Sequence, residues 1–122
     1  MHDEFADHLR ELFAPLGAIQ IKRMFGGAGI YAEDIMFALL ADDVLYLKVD
    51  EQNRALFEAE GLEAFSYVAK GNRRVSLSYF RAPDEAMDSA QLMLPWARSA
   101  FAAALRASVR KTSSKAVRTN KR

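Results

Sequence analysis

Residues 35–49 read IMFALLADDVLYLKV, and this stretch decides the fold. Ile35–Ala41 is a continuous apolar run of strand length, which is typical of a central strand. Val44–Val49 alternates in polarity with period two, as expected for a strand that covers a core with one face. Only Asp42 and Asp43 separate the two segments. Because parallel strands need a long crossover, this short connection predicts an antiparallel hairpin.

Further strand-like segments lie on both sides of this hairpin. Glu33–Asp34 is a predicted turn that follows a short strand at Ile30–Ala32. Ile19–Phe25 alternates in polarity and predicts another strand, which carries Arg23 on its apolar side. Towards the C-terminus, a second hairpin is predicted at residues 65–80, turning at Gly71–Asn72.

Three helices are predicted around these strands, over residues 3–15, 50–60 and about 89–108. Suitable N-cap side chains stand at each start: Asp3, Asp50, and Asp88 or Ser89. The third helix carries an apolar stripe: Leu92, Trp96, Ala100, Phe101, Ala104 and Leu105. Because Pro95 lies within this segment, either the helix kinks there or Pro95 is a first-turn residue of a helix that begins near Leu94. Its small residues would let it lie close to a sheet or to another helix: Ala97, Ala100, Ala103 and Ala104.

This order of elements predicts an α+β fold with a single antiparallel β-sheet of about five to six strands. Helices pack on one face of the sheet, and the C-terminal helix is long. We predict one domain over residues 1–108 and a basic, flexible tail over residues 109–122.

Composition excludes several classes of protein. The 122 residues include no cysteine, so disulfides, thiolate catalysis and cysteine-based metal sites are excluded. No apolar run reaches the roughly 20 residues that a membrane span needs, and the acidic N-terminus does not resemble a signal peptide. We therefore predict a cytoplasmic bacterial protein with no membrane partner and no cofactor.

The net charge of +1 conceals a separation of charge along the chain. Seven basic residues and no acidic ones lie at the C-terminus: Arg106, Arg110, Lys111, Lys115, Arg118, Lys121 and Arg122. The preceding residues carry ten basic and sixteen acidic side chains. The tail is therefore the candidate nucleic-acid contact, with steep salt dependence, and the alternative is a solubilising terminus.

The glycine-rich stretch RMFGGAGIY, residues 23–31, is the second candidate site. Its candidate residues are Arg23, Phe25, Gly26, Gly27 and Gly29. Residues 27–32 match the relaxed dinucleotide pattern G-x-G-x-x-A, but that pattern requires a glycine turn that leads into a helix. Here the glycines lead into a predicted strand, which favours a structural bend in the sheet. Arg23 either forms a salt bridge with Glu33 or Asp34, or faces a partner.

Catalytic and metal-binding patterns are weak in this sequence. His8 follows Glu4 by one helical turn, but no third ligand is in view beside them, and His2 lies near the terminus. Asp42–Asp43 is predicted to form a turn rather than a catalytic carboxylate pair. Basic and aromatic residues interleave along the strands, which suits either nucleic acid or an ordinary solvated face. We predict no catalytic, metal or cofactor residues.

Five segments, taken together, resemble a known family. They are Arg23–Tyr31, Met36–Leu39, Leu45–Asp50, Tyr79–Pro83 and Leu94–Ala97. Their order and spacing are similar to the N-terminal domain of the TfoX/Sxy family, bacterial regulators associated with natural competence, over roughly residues 5–107. The resemblance implies an α+β domain, no enzymatic activity and a cytoplasmic regulatory role. It further implies a chain that lacks the family's C-terminal helical domain.

The resemblance also implies a protein partner, because full-length family members act with the cyclic-AMP receptor protein at competence promoters. The expected function is therefore a non-enzymatic regulatory module that acts through protein contacts, with non-specific nucleic-acid affinity in the tail. Two alternatives stay open. One is a self-associating interaction domain, for example a homodimer; the other is a small-molecule sensor that uses the bend at Gly26–Gly29.

Overall fold

The computed structural model describes the backbone of residues 3–24 and 26–120, and the side chains of residues 4–24 and 26–110. The helices and strands, in chain order, are α1 (Asp3–Leu12), β1 (Gln20–Met24), β2 (Gly27–Ala32), β3 (Ile35–Ala41), β4 (Val44–Lys48), α2 (Arg54–Ala59), β5 (Ala64–Val68), β6 (Arg74–Arg81) and α3 (Ala90–Asn120). Short 3₁₀ turns cover Ala14–Leu16, Lys70–Asn72 and Asp84–Asp88.

The six strands form one sheet in the order β1-β2-β3-β4-β6-β5, and every pairing is antiparallel. Four consecutive strands therefore form a meander, and β6 joins it before β5. The predicted α+β class, with a single antiparallel sheet and a long C-terminal helix, is confirmed.

Two acidic pairs make the tight turns of the meander. Glu33 and Asp34 both have positive φ, at 50° and 64°, and Asp42 and Asp43 repeat this at 50° and 62°. Positive φ at both central residues defines the turn that matches the twist of a hairpin, and aspartate tolerates that region better than most residues. The turns predicted at both pairs are confirmed.

The core lies between one face of the sheet and the helices. Ala28, Leu40 and Leu45 stand side by side on neighbouring strands, as do Ile30 and its partners Ala38 and Leu47. Aromatic rings connect the sheet to the helical layer. The Phe37 ring meets Phe13 at 5.1 Å and Phe101 at 6.1 Å between centroids, and Phe57 meets Trp96 at 5.1 Å.

The long helix α3 packs through small side chains. Its fully buried residues are Met93, Ala97, Ala100 and Ala103, with Ala104 nearly so. Leu92 and Leu105, which we predicted in the apolar stripe, are 48% and 44% exposed. The predicted stripe is thus wrong at both of its ends. Alanines bring the helix axis close to the sheet, and at that distance bulky leucines fit only at the margins.

Other boundaries shift for local reasons. α2 begins at Arg54 rather than Asp50, because residues 51–53 form turns before the helix. β2 begins at Gly27 rather than Ile30, because the glycines themselves pair with β1. The Ser89 hydroxyl accepts a hydrogen bond from Leu92 N–H at 3.1 Å, which confirms Ser89 as the N-cap of α3.

α3 continues through Pro95 and past residue 108 to Asn120. The backbone of residues 109–120 is helical, so the boundary predicted after residue 108 coincides with no break in this helix. Whether residues 109–122 act as a unit separate from the domain stays a prediction. In the part of the chain that the structure describes, no helix is both long and apolar enough to cross a membrane.

Candidate functional site

The face of the sheet opposite the helices is the candidate site, and we call it the open face. Strand register defines it, because directly paired residues share a face. Four register pairs lie on the open face. From β1 to β6 they are Lys22 and Gly29 (β1–β2), Tyr31 and Met36 (β2–β3), Leu39 and Tyr46 (β3–β4), and Lys48 and Tyr79 (β4–β6). No described helix covers it, since the core residues of every helix face the other side.

A groove of about 750 Å³ crosses the open face. It runs between two opposite corners of the sheet, the β1–β2 hairpin and the β5–β6 hairpin. Sheet twist raises such corners towards the same side, which makes the face concave. The lining is mostly apolar and aromatic: Met24, Gly26, Gly27, Met36, Leu39, Leu40, Ala41, Asp42, Phe65, Ser66, Tyr67, Leu77 and Tyr79.

The predicted glycine bend forms part of this groove. Gly26 has φ +78°, a left-handed conformation that it adopts in the β1–β2 turn. A Cβ on Gly27 would collide with the carbonyl oxygen of Leu40, so the close approach of β2 to β3 requires glycine there. A Cβ on Gly29 would lie 2.7 Å from Met24 Cε and 3.1 Å from Met36 Sδ. The local structure therefore explains why glycine occupies each of these three positions: backbone conformation at Gly26, and lack of space for a side chain at Gly27 and Gly29.

The glycines do not form the phosphate cradle that the dinucleotide pattern describes. Gly27–Ala32 is strand β2, paired with β1 on one side and β3 on the other. A cradle needs free backbone N–H groups at the start of a helix, whereas here the backbone participates in sheet pairing. The geometry favours the interpretation of these residues as a bend in the sheet.

Arg23 and Phe25 complete the candidate bend. Arg23 pairs in register with Ala28 and is exposed on the helix side of β1. Glu33 lies five residues beyond Ala28, or about 16 Å along an extended strand, which is too far for the salt bridge that we predicted with Glu33 or Asp34. Phe25 lies outside the described residues.

Two lysines and two tyrosines cluster beside the groove, and we call them the Lys–Tyr cluster. Lys22 Nζ lies 4.6 Å from the centre of the Tyr31 ring, and Lys48 Nζ lies 5.1 Å from the centre of the Tyr79 ring. Both distances are typical of cation–π contacts. Lys48 Nζ also donates a hydrogen bond to the Ser78 hydroxyl at 2.6 Å.

Burial perturbs two groups in this cluster. Burial, with a smaller contribution from the neighbouring Tyr31, raises the pKa of Tyr79 to about 12, so the Tyr79 hydroxyl stays protonated at neutral pH. Burial also lowers the pKa of Lys48, and the nearby carboxylate of Asp50 partly offsets this. Among the described side chains, no carboxylate lies within ion-pair distance of Lys22 or Lys48.

One of the residues predicted to belong to the basic tail, Arg106, instead forms an ion pair within the domain. Arg106 donates from Nε and Nη2 to the carboxylate of Asp50, at 2.6 and 2.9 Å. Its charge is therefore committed inside the domain, and Arg106 does not belong with the tail residues. This ion pair could not be predicted from the sequence, because Asp50 and Arg106 are 56 residues apart and only the fold brings them together.

The remaining tail candidates lie beyond this ion pair. Arg110 is exposed on α3. Lys111, Lys115 and Arg118 lie on the helical backbone of α3. Lys121 and Arg122 lie outside the described residues.

The weak catalytic candidates do not assemble into a site. His8 stacks on Phe5 at 6.4 Å between ring centroids, and the described residues contain no group of three potential metal ligands. Asp42 lines one end of the groove but belongs to the β3–β4 turn.

Sequence reasoning missed several residues of the groove. Met24 and Met36 lie on different strands, and only the sheet register brings them together above Gly29. Tyr31, which lies beside the groove in the Lys–Tyr cluster, was predicted only as part of the glycine stretch, although the two-residue spacing from Gly29 already places both on one face of β2. The curvature that forms the groove has no signal in the sequence of any one strand.

A concave sheet face backed by a single helical layer defines a small α+β domain. The chain belongs to the TfoX N-terminal domain family, whose model matches residues 11–104. The family that the five sequence segments predicted is thus confirmed.

Two curated proteins are similar to this chain. DNA transformation protein TfoX1 of Aliivibrio fischeri (strain ATCC 700601 / ES114) is 40% identical over 67 residues, which cover 52% of this chain and 32% of that protein. Protein Sxy of Escherichia coli (strain K12) is 33% identical over 85 residues, which cover 70% of this chain and 40% of that protein. The chain therefore spans well under half the length of either relative.

Proposed function

We propose that this chain is a regulatory domain in bacterial DNA transformation that acts by binding and not by catalysis. The observation that carries the proposal is its membership of the TfoX N-terminal domain family, together with the similarity to a protein named for DNA transformation. The direct test is to delete the gene in the source bacterium and measure transformation frequency. We expect at least a tenfold change; an unchanged frequency rejects the role.

Two features of the described residues support binding over catalysis: the role of the buried polar side chain and the lining of the groove. Asn53 is the one buried polar residue among those described, and all of its contacts hold the fold together. The concavity on the open face is instead lined by apolar and aromatic side chains, as ligand-binding surfaces are.

The partner that we propose first is the cyclic-AMP receptor protein, which the family resemblance suggested. Sedimentation velocity of the purified chain with that receptor, with and without cyclic AMP, tests the contact. We expect a complex that sediments faster than either protein at micromolar concentrations. If the two sediment independently under both conditions, this receptor is not the partner.

Self-association is the second candidate, and the exposed edge of β5 favours it. Tyr67 and Val68 are 46% and 58% exposed on this edge strand. An edge strand with exposed apolar residues offers unpaired backbone groups to a second copy. The small residues of α3, which could have packed against another helix, are instead buried within the chain's own core. A Val68→Lys variant that stays monomeric where the wild type dimerises would support pairing through β5.

We further propose that the residues after Arg106 add non-specific affinity for nucleic acid. The support is their uncompensated charge: six basic residues and no acidic ones lie after Arg106. Such contacts release counterions, so the affinity should fall steeply as salt rises.

A further inference from the structure

The groove on the open face has the dimensions of a small-molecule site. Its volume of about 750 Å³ falls within the usual range for ligand pockets, and two hairpins wall it. The walls supply aromatic rings from β5 and β6, and methionines from β1 and β3: Phe65, Tyr67, Tyr79, Met24 and Met36. Thioether and aromatic groups adapt their shape to an apolar guest.

The rings in the groove are arranged for an apolar body and not for a stacked nucleobase. Phe65 packs edge-on against Tyr46 at 5.0 Å, and it lies 6.3 Å from Tyr67. One lysine ammonium group lies over the ring of Tyr31 and another over the ring of Tyr79. Sheets that bind single-stranded nucleic acid present free ring faces for stacking, and one face of each of these two rings already carries a cation.

The Lys–Tyr cluster places two ammonium groups beside the groove, whereas the carboxylate of Asp42 lies at one end of it. Tyr79 belongs both to the groove and to this cluster, so the cationic side chains adjoin the apolar space directly. Lys48 is partly buried there with a hydroxyl as its hydrogen-bond partner. An ammonium that is partly withdrawn from water gains from a neighbouring anion, because water there screens the attraction between opposite charges less than it does in bulk solvent.

We propose that the groove binds a small amphipathic anion, an organic carboxylate, sulfonate or phosphate with an apolar body. The apolar body lies against Leu39 and Leu77, and the anionic group lies beside Lys48 and the Tyr79 hydroxyl. Lys22 adds a second positive charge at the far side of the cluster. This inference does not depend on which protein the domain contacts, so its failure would leave the regulatory role standing.

A matched pair of fluorescent probes tests the proposal on the full chain. The probe 8-anilinonaphthalene-1-sulfonate carries an aromatic body and one anionic group, and N-phenyl-1-naphthylamine has the same body without the sulfonate. Inorganic sulfate supplies the anion without the body. We expect saturable binding of one anilinonaphthalenesulfonate, weaker binding of the neutral probe by about threefold or more, and no competition from equimolar sulfate. Equal affinity for the two aromatic probes overturns the proposal.

Variants locate the site. Lys48→Gln should weaken the anionic probe about three- to tenfold and leave the neutral probe within about twofold. Arg98→Gln removes the same charge from the exposed side of α3, behind the sheet, and should change neither. If the two variants lose the same affinity for the anionic probe, the probe responds only to the net charge of the protein, and the proposed site is wrong.

Filling the groove provides the second, independent test. Leu77 lines the groove and is 39% exposed, so Leu77→Trp should weaken both probes about fivefold or more. Leu56→Trp is the matched control, because Leu56 is 55% exposed on α2. Unchanged binding of both probes to Leu77→Trp would place them elsewhere and overturn the proposal.

Discussion

Asp50 and Arg106 form a two-point ion pair that ties the loop after β4 to the middle of α3, with N–O distances of 2.6 and 2.9 Å. Their side chains are 14% and 30% exposed, so solvent screens the pair only in part. The loop itself is ordered by Asp50, whose carboxylate also accepts hydrogen bonds from the backbone N–H groups of Gln52 and Asn53.

Removing the cation from this pair should destabilise the domain. We expect Arg106→Gln to lower the free energy of unfolding by about 1–2 kcal/mol, because two charge-assisted hydrogen bonds at a partly screened site are lost. Urea denaturation measures the change. The charge-matched control is Arg98→Gln on the exposed side of α3, which should change stability by less than about 0.5 kcal/mol. Equal effects from the two variants would contradict the importance of the pair.

The same pair should make stability depend on acid pH. Its hydrogen bonds from Arg106 hold the pKa of Asp50 at about 2, below the usual 3.8. A lowered pKa in the folded state stabilises the protein above about pH 4, and this contribution is lost as the pH falls through 2. Wild type should therefore exceed Asp50→Asn by about 1–2 kcal/mol at pH 6, and the difference should shrink between pH 4 and 2. A difference that stays constant over this range would show that Asp50 acts through geometry alone.

Asn53 should be the most sensitive polar residue of the domain. It is 4% exposed, and its Nδ2 donates to the carbonyl of Lys48 at 3.1 Å and to the carbonyl and hydroxyl of Ser99 at 3.2 and 3.0 Å. Its Oδ1 accepts from the Asp50 N–H at 2.7 Å. Asn53→Ala leaves several of these groups buried without partners, so we expect a loss of about 2–4 kcal/mol. Ser99→Ala removes a single contact and should cost about 1 kcal/mol in the same thermal unfolding assay.

The loss of stability on replacing a glycine by alanine should depend on the atoms that surround that glycine. Gly27→Ala places a methyl against the Leu40 carbonyl, and we expect a loss of about 3 kcal/mol or more, or an insoluble protein. Gly26→Ala meets no atom within 4 Å but keeps a positive φ, so about 1 kcal/mol is expected. Soluble yield and thermal unfolding give the order. If Gly26→Ala proves the more damaging variant, the close approach of β2 to β3 is not what requires Gly27.

Neutralising the tail should abolish any non-specific affinity for DNA. The variant replaces by glutamine every basic residue after Arg106: Arg110, Lys111, Lys115, Arg118, Lys121 and Arg122. In gel shifts at low salt we expect at least a tenfold loss for this variant, and loss of wild-type binding as salt rises. Arg106→Gln should leave DNA binding unchanged. Absence of wild-type binding at low salt would exclude direct contact between the tail and DNA.

The sequence by itself determined the strands, the tight turns and the family. Those features depend on local chemistry: alternation of polarity in β4, two acidic pairs that accept positive φ, and glycine at Gly71 for the last hairpin. Such signals act between near neighbours in the chain, so they can be read without knowing what packs against them.

The distance between α3 and the sheet was decided only by the tertiary structure. The periodicity of α3 suggested that Leu92 and Leu105 point inward, yet alanine contacts set how close the helix lies and rotated the buried stripe towards Met93. The same dependence explains Arg106, which looked like a tail cation until the fold brought Asp50 beside it.

The groove is likewise a product of the whole sheet. Its walls come from hairpins at opposite corners, and the twist that raises them accumulates over six strands. Each strand specifies which side chains point to the open face, because side-chain direction alternates along a single strand. How far those side chains stand from one another depends on curvature, which no single segment of the sequence encodes.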